Sequence, residues 1–198
     1  MTPLPDHLLE SVAAEAVREG LADALFTVVP TPIGRLTVVS GDRGIVRVGF
    51  EEEPVDGVLA YVAERMGPRV LRTDRELADV REKLQEYLEG ERTQDLDLAY
   101  DLRLVASPFR RAVLETLQRE VHRGDTVRYG ELAARVGHPK AARAAGTACA
   151  TNPIPIVVPC HRVLPSTGGV GNYGGGPTRK VQLLELEGAL PPRLTSPR

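Results

Sequence analysis

The chain is predicted to be an α/β N-terminal half, a small antiparallel sheet with helices, followed by a mainly α C-terminal half containing a helix-turn-helix. Three observations carry this. Short β-rich runs between 26 and 50 are punctuated by Pro, Gly and Asp turns, an antiparallel meander signal. Helically spaced apolar residues follow, and at 129–150 two short helical stretches flank Gly137-His138-Pro139. Charge also divides along the chain. Residues 1–105 hold 12 Lys/Arg against 21 Asp/Glu, a balance of −9, whereas residues 121–180 hold 8 against 2, a balance of +6.

At 198 residues there is room for one large domain or two small ones. The elements divide the chain into a helical extension (1–24), an α/β domain with its linker (25–104), a C-terminal domain (105–190) and a tail (191–198). Residues 7–24 are alanine-rich with apolar positions near helical spacing. Strands are expected at 26–29, 34–39 and 44–50, with Pro30-Thr31-Pro32 and Ser40-Gly41-Asp42-Arg43-Gly44 turning the chain between them. Helices follow at about 55–66 and 74–89, the second with Leu77, Val80, Leu84 and Leu88 on one face and a stop at Gly90. The acidic segment 91–106 reads as the connection between the halves.

Ser107-Pro108 then opens a helix, with serine as N-cap, proline at the first helical position and Val113, Leu114 and Leu117 as its apolar side. A short helix from Tyr129 to Val136 is broken by the Gly/Pro turn, and an alanine-rich helix runs from Lys140 to Ala150. Its small side chains permit close approach to a groove wall but read no base edges. Two helices packed through alanine faces would show the same pattern. The glycines at 168–176 form a tight loop.

Composition excludes several classes. No apolar run approaches the roughly 20 residues of a membrane span. The first ten residues lack the basic head and apolar stretch of a secretory signal. Two cysteines, Cys149 and Cys160, make no disulfide framework and suit a reducing cytoplasm. Metal ligation is not supported, because His7, His122 and His138 are scattered and no Cys-x-x-Cys pair exists. The basic balance at 121–180 suggests a phosphate-facing surface.

The strongest chemical signal is Ile154-Pro155-Ile156-Val157-Val158-Pro159-Cys160-His161-Arg162-Val163. A thiol becomes a useful nucleophile when cationic or hydrogen-bonding neighbours favour its thiolate, and the prolines stiffen the backbone presenting it. A buried cysteine is more often an inert small hydrophobe. That reading leaves the histidine and arginine directly after it without a reason. Around the motif lie Lys140-Ala141-Ala142-Arg143-Ala144-Ala145-Gly146, Asn152-Pro153, Gly171-Asn172-Tyr173-Gly174-Gly175-Gly176 and Leu183-Leu184-Glu185-Leu186-Glu187-Gly188.

This ordered set closely resembles the O6-alkylguanine-DNA alkyltransferase family, from about Phe109 to Leu190 and more loosely from Phe26. The resemblance implies a ribonuclease-H-like N-terminal domain and a winged helix-turn-helix. It implies DNA repair by single-turnover transfer of an alkyl group from O6-alkylguanine, with O4-alkylthymine as a second substrate, to Cys160 as an irreversible thioether. The damaged base is flipped out of the duplex. Arg143 enters the minor groove and fills the gap, with Lys140, Ala142, Ala144, Arg128 and Tyr129 completing the DNA-facing set. Tyr129 also crowds the flipped nucleotide's phosphate, bonds the purine and lends it a proton. Val163, Val170, Gly171, Tyr173 and Gly174 line the base pocket with Tyr129.

Cys160 is then the acceptor, His161 its water-bridged base, and Glu187 the carboxylate orienting His161, with Glu185 competing for that place. Neighbours in an extended segment point to opposite faces, so a direct contact between Cys160 and His161 is not expected. Asn152 ties the helix-turn-helix to the Cys160 strand, Arg162 is a salt-bridge partner, and Lys180 either supports the thiol region or meets only solvent. Cys149 reads as a buried small residue. No cofactor is implied. The partner is double-stranded DNA containing alkylated bases, bound by a monomer, with cooperativity along DNA left open. Ala150 and Thr151 stand where many relatives carry a basic residue, Gly174 where some have serine, and Arg110 and Arg111 where glutamine is common.

Two alternatives belong to other classes. A non-catalytic protein that binds alkylated DNA and recruits repair factors would share the fold but lack the reactive cysteine, which is present here. A papain-type thiol hydrolase would need a separated cysteine and histidine with an amide orienter.

Overall fold

A computed structural model describes residues 6–191. The chain divides into two compact units, one running up to Glu89 and taking in Leu96–Leu104, the other comprising Gly90–Asp95 and the chain from Val105 onward. The acidic segment therefore contributes to both units.

In the first unit, β1 (Ala24–Val29), β2 (Leu36–Gly41) and β3 (Gly44–Phe50) form the expected meander, and β4 (Val70–Arg72) adds a fourth strand. The sheet order is β3-β2-β1-β4, and β4 runs parallel to β1, so the sheet is mixed rather than antiparallel throughout. A bulge at Val39/Ser40 shifts the β2–β3 register. Helix α2 (Val55–Met66) buries Val58 and Val62 against Ala24, Val39 and Val46 of the sheet. Helix α3 (Ala78–Glu89) buries Leu84, Tyr87 and Leu88.

Two helix boundaries of this unit differ from expectation, each for a local reason. Helix α1 spans Asp6–Arg18 and stops before 24 because Gly20 takes a φ of +64° and the Leu21 amide bonds back to Ala16, a left-handed C-terminal cap. Helix α3 begins at 78 rather than 74 because Asp74 is engaged elsewhere. Its carboxylate accepts from Thr27 at 2.6 Å and its amide donates to Glu10 at 2.6 Å. Glu10 also accepts from the Thr73 hydroxyl at 2.7 Å, which fastens α1 beside the end of β4.

In the second unit, α4 (Pro108–Glu120) starts where Ser107 accepts the Arg110 amide and buries Val113, Leu114 and Leu117. Helices α5 (Tyr129–Arg135) and α6 (Ala142–Ala150) form the helix-turn-helix, with Lys140 in the turn rather than on the second helix. A small parallel pair, β5 (Val127–Arg128) with β6 (Val163–Leu164), stands beside it, and α7 (Gly176–Leu186) closes the unit.

Gly44 opens β3 at a φ of +117°, and a β-carbon there would lie 2.3 Å from the backbone carbonyl of Ala99. The close approach accompanies the bridge between Ile45 and Tyr100. Gly44→Ala is therefore expected to destabilise the protein by about 2–4 kcal/mol, read by urea unfolding. A change within about 0.5 kcal/mol would contradict this packing.

Candidate functional site

The apolar run ending at Pro159 does not continue as a strand. It turns at Ile154–Val158, where the Val158 amide bonds Ile154 and Pro155 bridges Val158, and Ile156 is held at a φ of +74°. A β-branched residue in the left-handed region is strained, and its burial at 2% shows the surrounding core enforcing it. Cys160, His161 and Arg162 then form a single 3-10 turn, all three buried. The premise that Cys160 and His161 are neighbours on an extended segment is thus corrected.

Asn152 braces this turn. Its amide nitrogen donates to Val158 at 2.9 Å and to the Cys160 sulfur at 3.2 Å, while its oxygen accepts the Ile154 amide at 3.1 Å. The brace was legible in the sequence; the bond to the sulfur was not. Burial pushes the Cys160 thiol up to about 11, with the Asn152 bond and the Lys180 charge pulling the other way. Neighbours that favour the thiolate are thus present as expected, but desolvation outweighs them at rest. At neutral pH Cys160 is therefore a thiol.

Glu187, the C-cap of α7, is buried and lies on His161, with Oε1 2.6 Å from Nε2. Arg162 approaches it side-on, Nε donating to Oε2 at 2.9 Å and Nη2 to Oε1 at 3.2 Å. Burial raises the Glu187 carboxyl, but the charge and hydrogen bond of His161, then those of Arg162, bring it to about 2. An ionised Glu187 accepts, so His161 donates to it through Nε2, and the buried Nδ1 has no protein hydrogen-bond partner. Tyr173 packs edge-on against the imidazole at 6.2 Å.

Lys180 resolves to the inside of the molecule. It is fully buried and donates to the Val163 carbonyl at 2.7 Å and toward that of Asn172 at 3.4 Å. Burial lowers its pKa, while the Cys160 and Cys149 thiols oppose this.

Cys160 opens on a cavity of about 570 Å³, within the range of small-ligand sites. Tyr129, Gly171, Tyr173 and Gly174 line it as expected. Val163 instead sits in the core with its carbonyl held by Lys180, and Val170 is half-buried outside the lining. Asn172 of the same glycine-rich loop lines the cavity as well, and so does Cys149, which reads in the sequence only as a buried small residue. Burial, with the Cys149 and Cys160 sulfurs, pushes the Tyr129 phenol up to about 12, which keeps it protonated.

A second cavity of about 620 Å³ shares Tyr129 and Gly146 with the first and is lined by Arg128, Ala142 and Arg143. Arg143, Ala144 and Lys140 are exposed. Arg128 caps α5 through its backbone, donating to Glu131 at 3.0 Å, and its guanidinium bonds the Pro165 carbonyl. Among the described residues no cluster of three His, Cys, Asp or Glu could hold a metal ion, and no helix is long and apolar enough to cross a membrane.

Comparison with known proteins gives a consistent result. Residues 108–189 match the family model of the 6-O-methylguanine DNA methyltransferase DNA-binding domain, and residues 24–101 match that of its ribonuclease-like domain. A methylated-DNA–protein-cysteine methyltransferase of Mycolicibacterium paratuberculosis is 40% identical over 162 residues, covering 82% of this chain and 91% of the relative. The crystal structure of the Mycobacterium tuberculosis O6-methylguanine methyltransferase superposes with a TM-score of 0.71 at 32% identity, over 86% of this chain and 96% of that one. The structure of OGT from the same organism in complex with DNA gives 0.70 at 32% identity, over 83% and 93%.

The depressed Glu187 carboxyl makes a stability prediction. A group whose folded pKa lies below its ordinary value of 4.5 contributes stability that is complete above that value and lost as pH falls toward about 2. Urea unfolding between pH 6 and pH 2 should show this loss, and Glu187→Gln should flatten it. An unchanged acid limb in the variant would contradict the assignment.

Proposed function

The chain belongs to the 6-O-methylguanine DNA methyltransferase family, and on that premise we propose that it repairs DNA by accepting an alkyl group on Cys160. The observation that carries the proposal is the buried set Cys160, His161 and Glu187, with the thiol on the wall of a cavity lined by Tyr129. The substrate is O6-alkylguanine in double-stranded DNA, with O4-alkylthymine as a second substrate. The damaged nucleotide leaves the stack because an alkyl carbon inside a duplex is out of reach of a buried sulfur. Arg143, exposed on α6 beside the second cavity, fills the gap from the minor groove. Arg128, Lys140, Ala142 and Ala144 face the backbone around it.

The reaction is one displacement. The Cys160 sulfur attacks the alkyl carbon in line, the S–C bond forms and the C–O6 bond breaks. The thiol proton passes to His161 Nδ1 through a bridging water, and the imidazolium is held by ionised Glu187. Tyr129, kept protonated by burial, gives its proton to the departing guanine and is reprotonated as His161 returns to neutral. Guanine thereby leaves neutral, carrying the proton equivalent to the one the thiol lost. The thioether is a very poor leaving group, so each molecule acts once, as a monomer and without a cofactor. Two free cysteines fit a reducing compartment such as the cytoplasm.

Incubation with a duplex containing O6-methylguanine is expected to add one methyl group to the Cys160 peptide by mass spectrometry, and Cys160→Ser to take none. Arg143→Ala should slow transfer from duplex DNA far more than transfer from the free modified base. Tight binding to methylated DNA with an unmodified Cys160 would favour the non-catalytic recognition role instead.

A further inference from the structure

The groups that hold Glu187 extend beyond the motif. Arg162, whose side chain is 4% exposed, bonds Glu187 through Nε and Nη2 and the Val121 carbonyl through Nη1 at 2.6 Å. Nη2 also meets the Asp95 carboxylate at 2.8 Å. Asp95 lies in the acidic segment, far in sequence from every residue of the motif. It is itself fixed, accepting the Arg123 amide at 2.9 Å while its other oxygen lies 2.9 Å from His122 Nδ1. Arg123 reaches on to the Leu186 carbonyl at 2.6 Å, one residue before Glu187.

Charge accounting gives this contact a purpose. Arg162 and Glu187 alone would be a neutral pair, and a carboxylate already neutralised by a guanidinium supports a second cation poorly. Asp95 supplies the second negative charge to Arg162. In direct ion-pair contact, the two carboxylates of Glu187 and Asp95 then share the one guanidinium of Arg162, while the Arg123 guanidinium is turned onto the Leu186 carbonyl. We propose that Asp95 is a positioning residue for alkyl transfer, acting through Arg162 so that the negative charge of Glu187 remains available to the imidazolium of His161. The proposal rests on the alkyl-acceptor reading above and adds a residue outside the family's motif to it.

The charged and titratable groups facing the cluster are Glu187 after α7, Asp95 before the unit's main body, His122 and Arg123 after α4, and Cys160 and Tyr173 around His161. Asp95 is 37% exposed on its side chain, so solvent weakens its field, and the effect is smaller than that of Glu187 itself.

The test is the single-turnover rate of methyl transfer to Cys160 across pH, with the full chain and an O6-methylguanine duplex. Asp95→Asn keeps the shape and an acceptor for the Arg123 amide but removes the charge. It should move the rising limb of the rate-versus-pH curve to lower pH by about half to one unit and lower the plateau above it about three- to tenfold, because the removed charge favoured the protonated imidazole. Asp95→Glu should recover most of the shift. A curve for Asp95→Asn that superposes on the wild type, or a loss equal at every pH, would overturn the assignment. Absence of transfer by the wild-type protein would instead refute the acceptor reading itself, and this assignment with it.

Discussion

The second unit's chemistry depends on one buried carboxylate. Glu187 lies inside the protein and is ionised because two groups from a single 3-10 turn meet its two oxygens, His161 on one and Arg162 on both. A buried charge is tolerated only when it is paired and hydrogen-bonded, and removing one partner leaves the other uncompensated. The end of α7 and the Cys160 turn are therefore held together by a contact that neither can forgo. The same contact orients the imidazole and leaves Nδ1 on the side away from the carboxylate.

The site keeps its nucleophile quiet. Desolvation places the Cys160 thiol at about 11 despite the Asn152 amide and the Lys180 charge, so the resting sulfur is protonated. That resting state suits the proposed single-turnover acceptor, because a standing thiolate would be spent on any passing electrophile. The polar groups arranged around the sulfur matter at the moment its proton leaves. Tyr129, held protonated on the opposite side of the chemistry, completes the arrangement from the helix-turn-helix. In the proposed function, DNA binding and nucleophile activation meet at α5, where Tyr129 lines both cavities.

Much of this was legible in the sequence for physical reasons. Turn residues and alternation marked β1, β2 and β3, the Ser107-Pro108 cap marked α4, and the Gly137-His138-Pro139 break marked the helix-turn-helix. What escaped were features decided by tertiary partners. Three residues at 70–72 carry too little pattern to read as a strand, and they are one only because β1 offers a parallel edge. Cys160 sits on a tight turn rather than an extended run because Asn152 and the strained Ile156 fold the segment back. Lys180 stays open between thiol support and solvent until the Val163 carbonyl is found beside it. Asp95 sits in a segment whose composition says only that it is acidic, and its contact with Arg162 spans a separation no local pattern encodes.

The central claim is that Glu187, through His161, makes the buried Cys160 thiol an alkyl acceptor. Its most direct measurement is a rapid-quench time course of labelled methyl transfer from an O6-methylguanine duplex to wild-type protein and to Glu187→Gln, with DNA affinity measured in parallel. The expected result is a transfer step slowed by about 100-fold or more at neutral pH with affinity for the duplex within a few-fold of wild type. Transfer at the wild-type rate in the variant would contradict the claim.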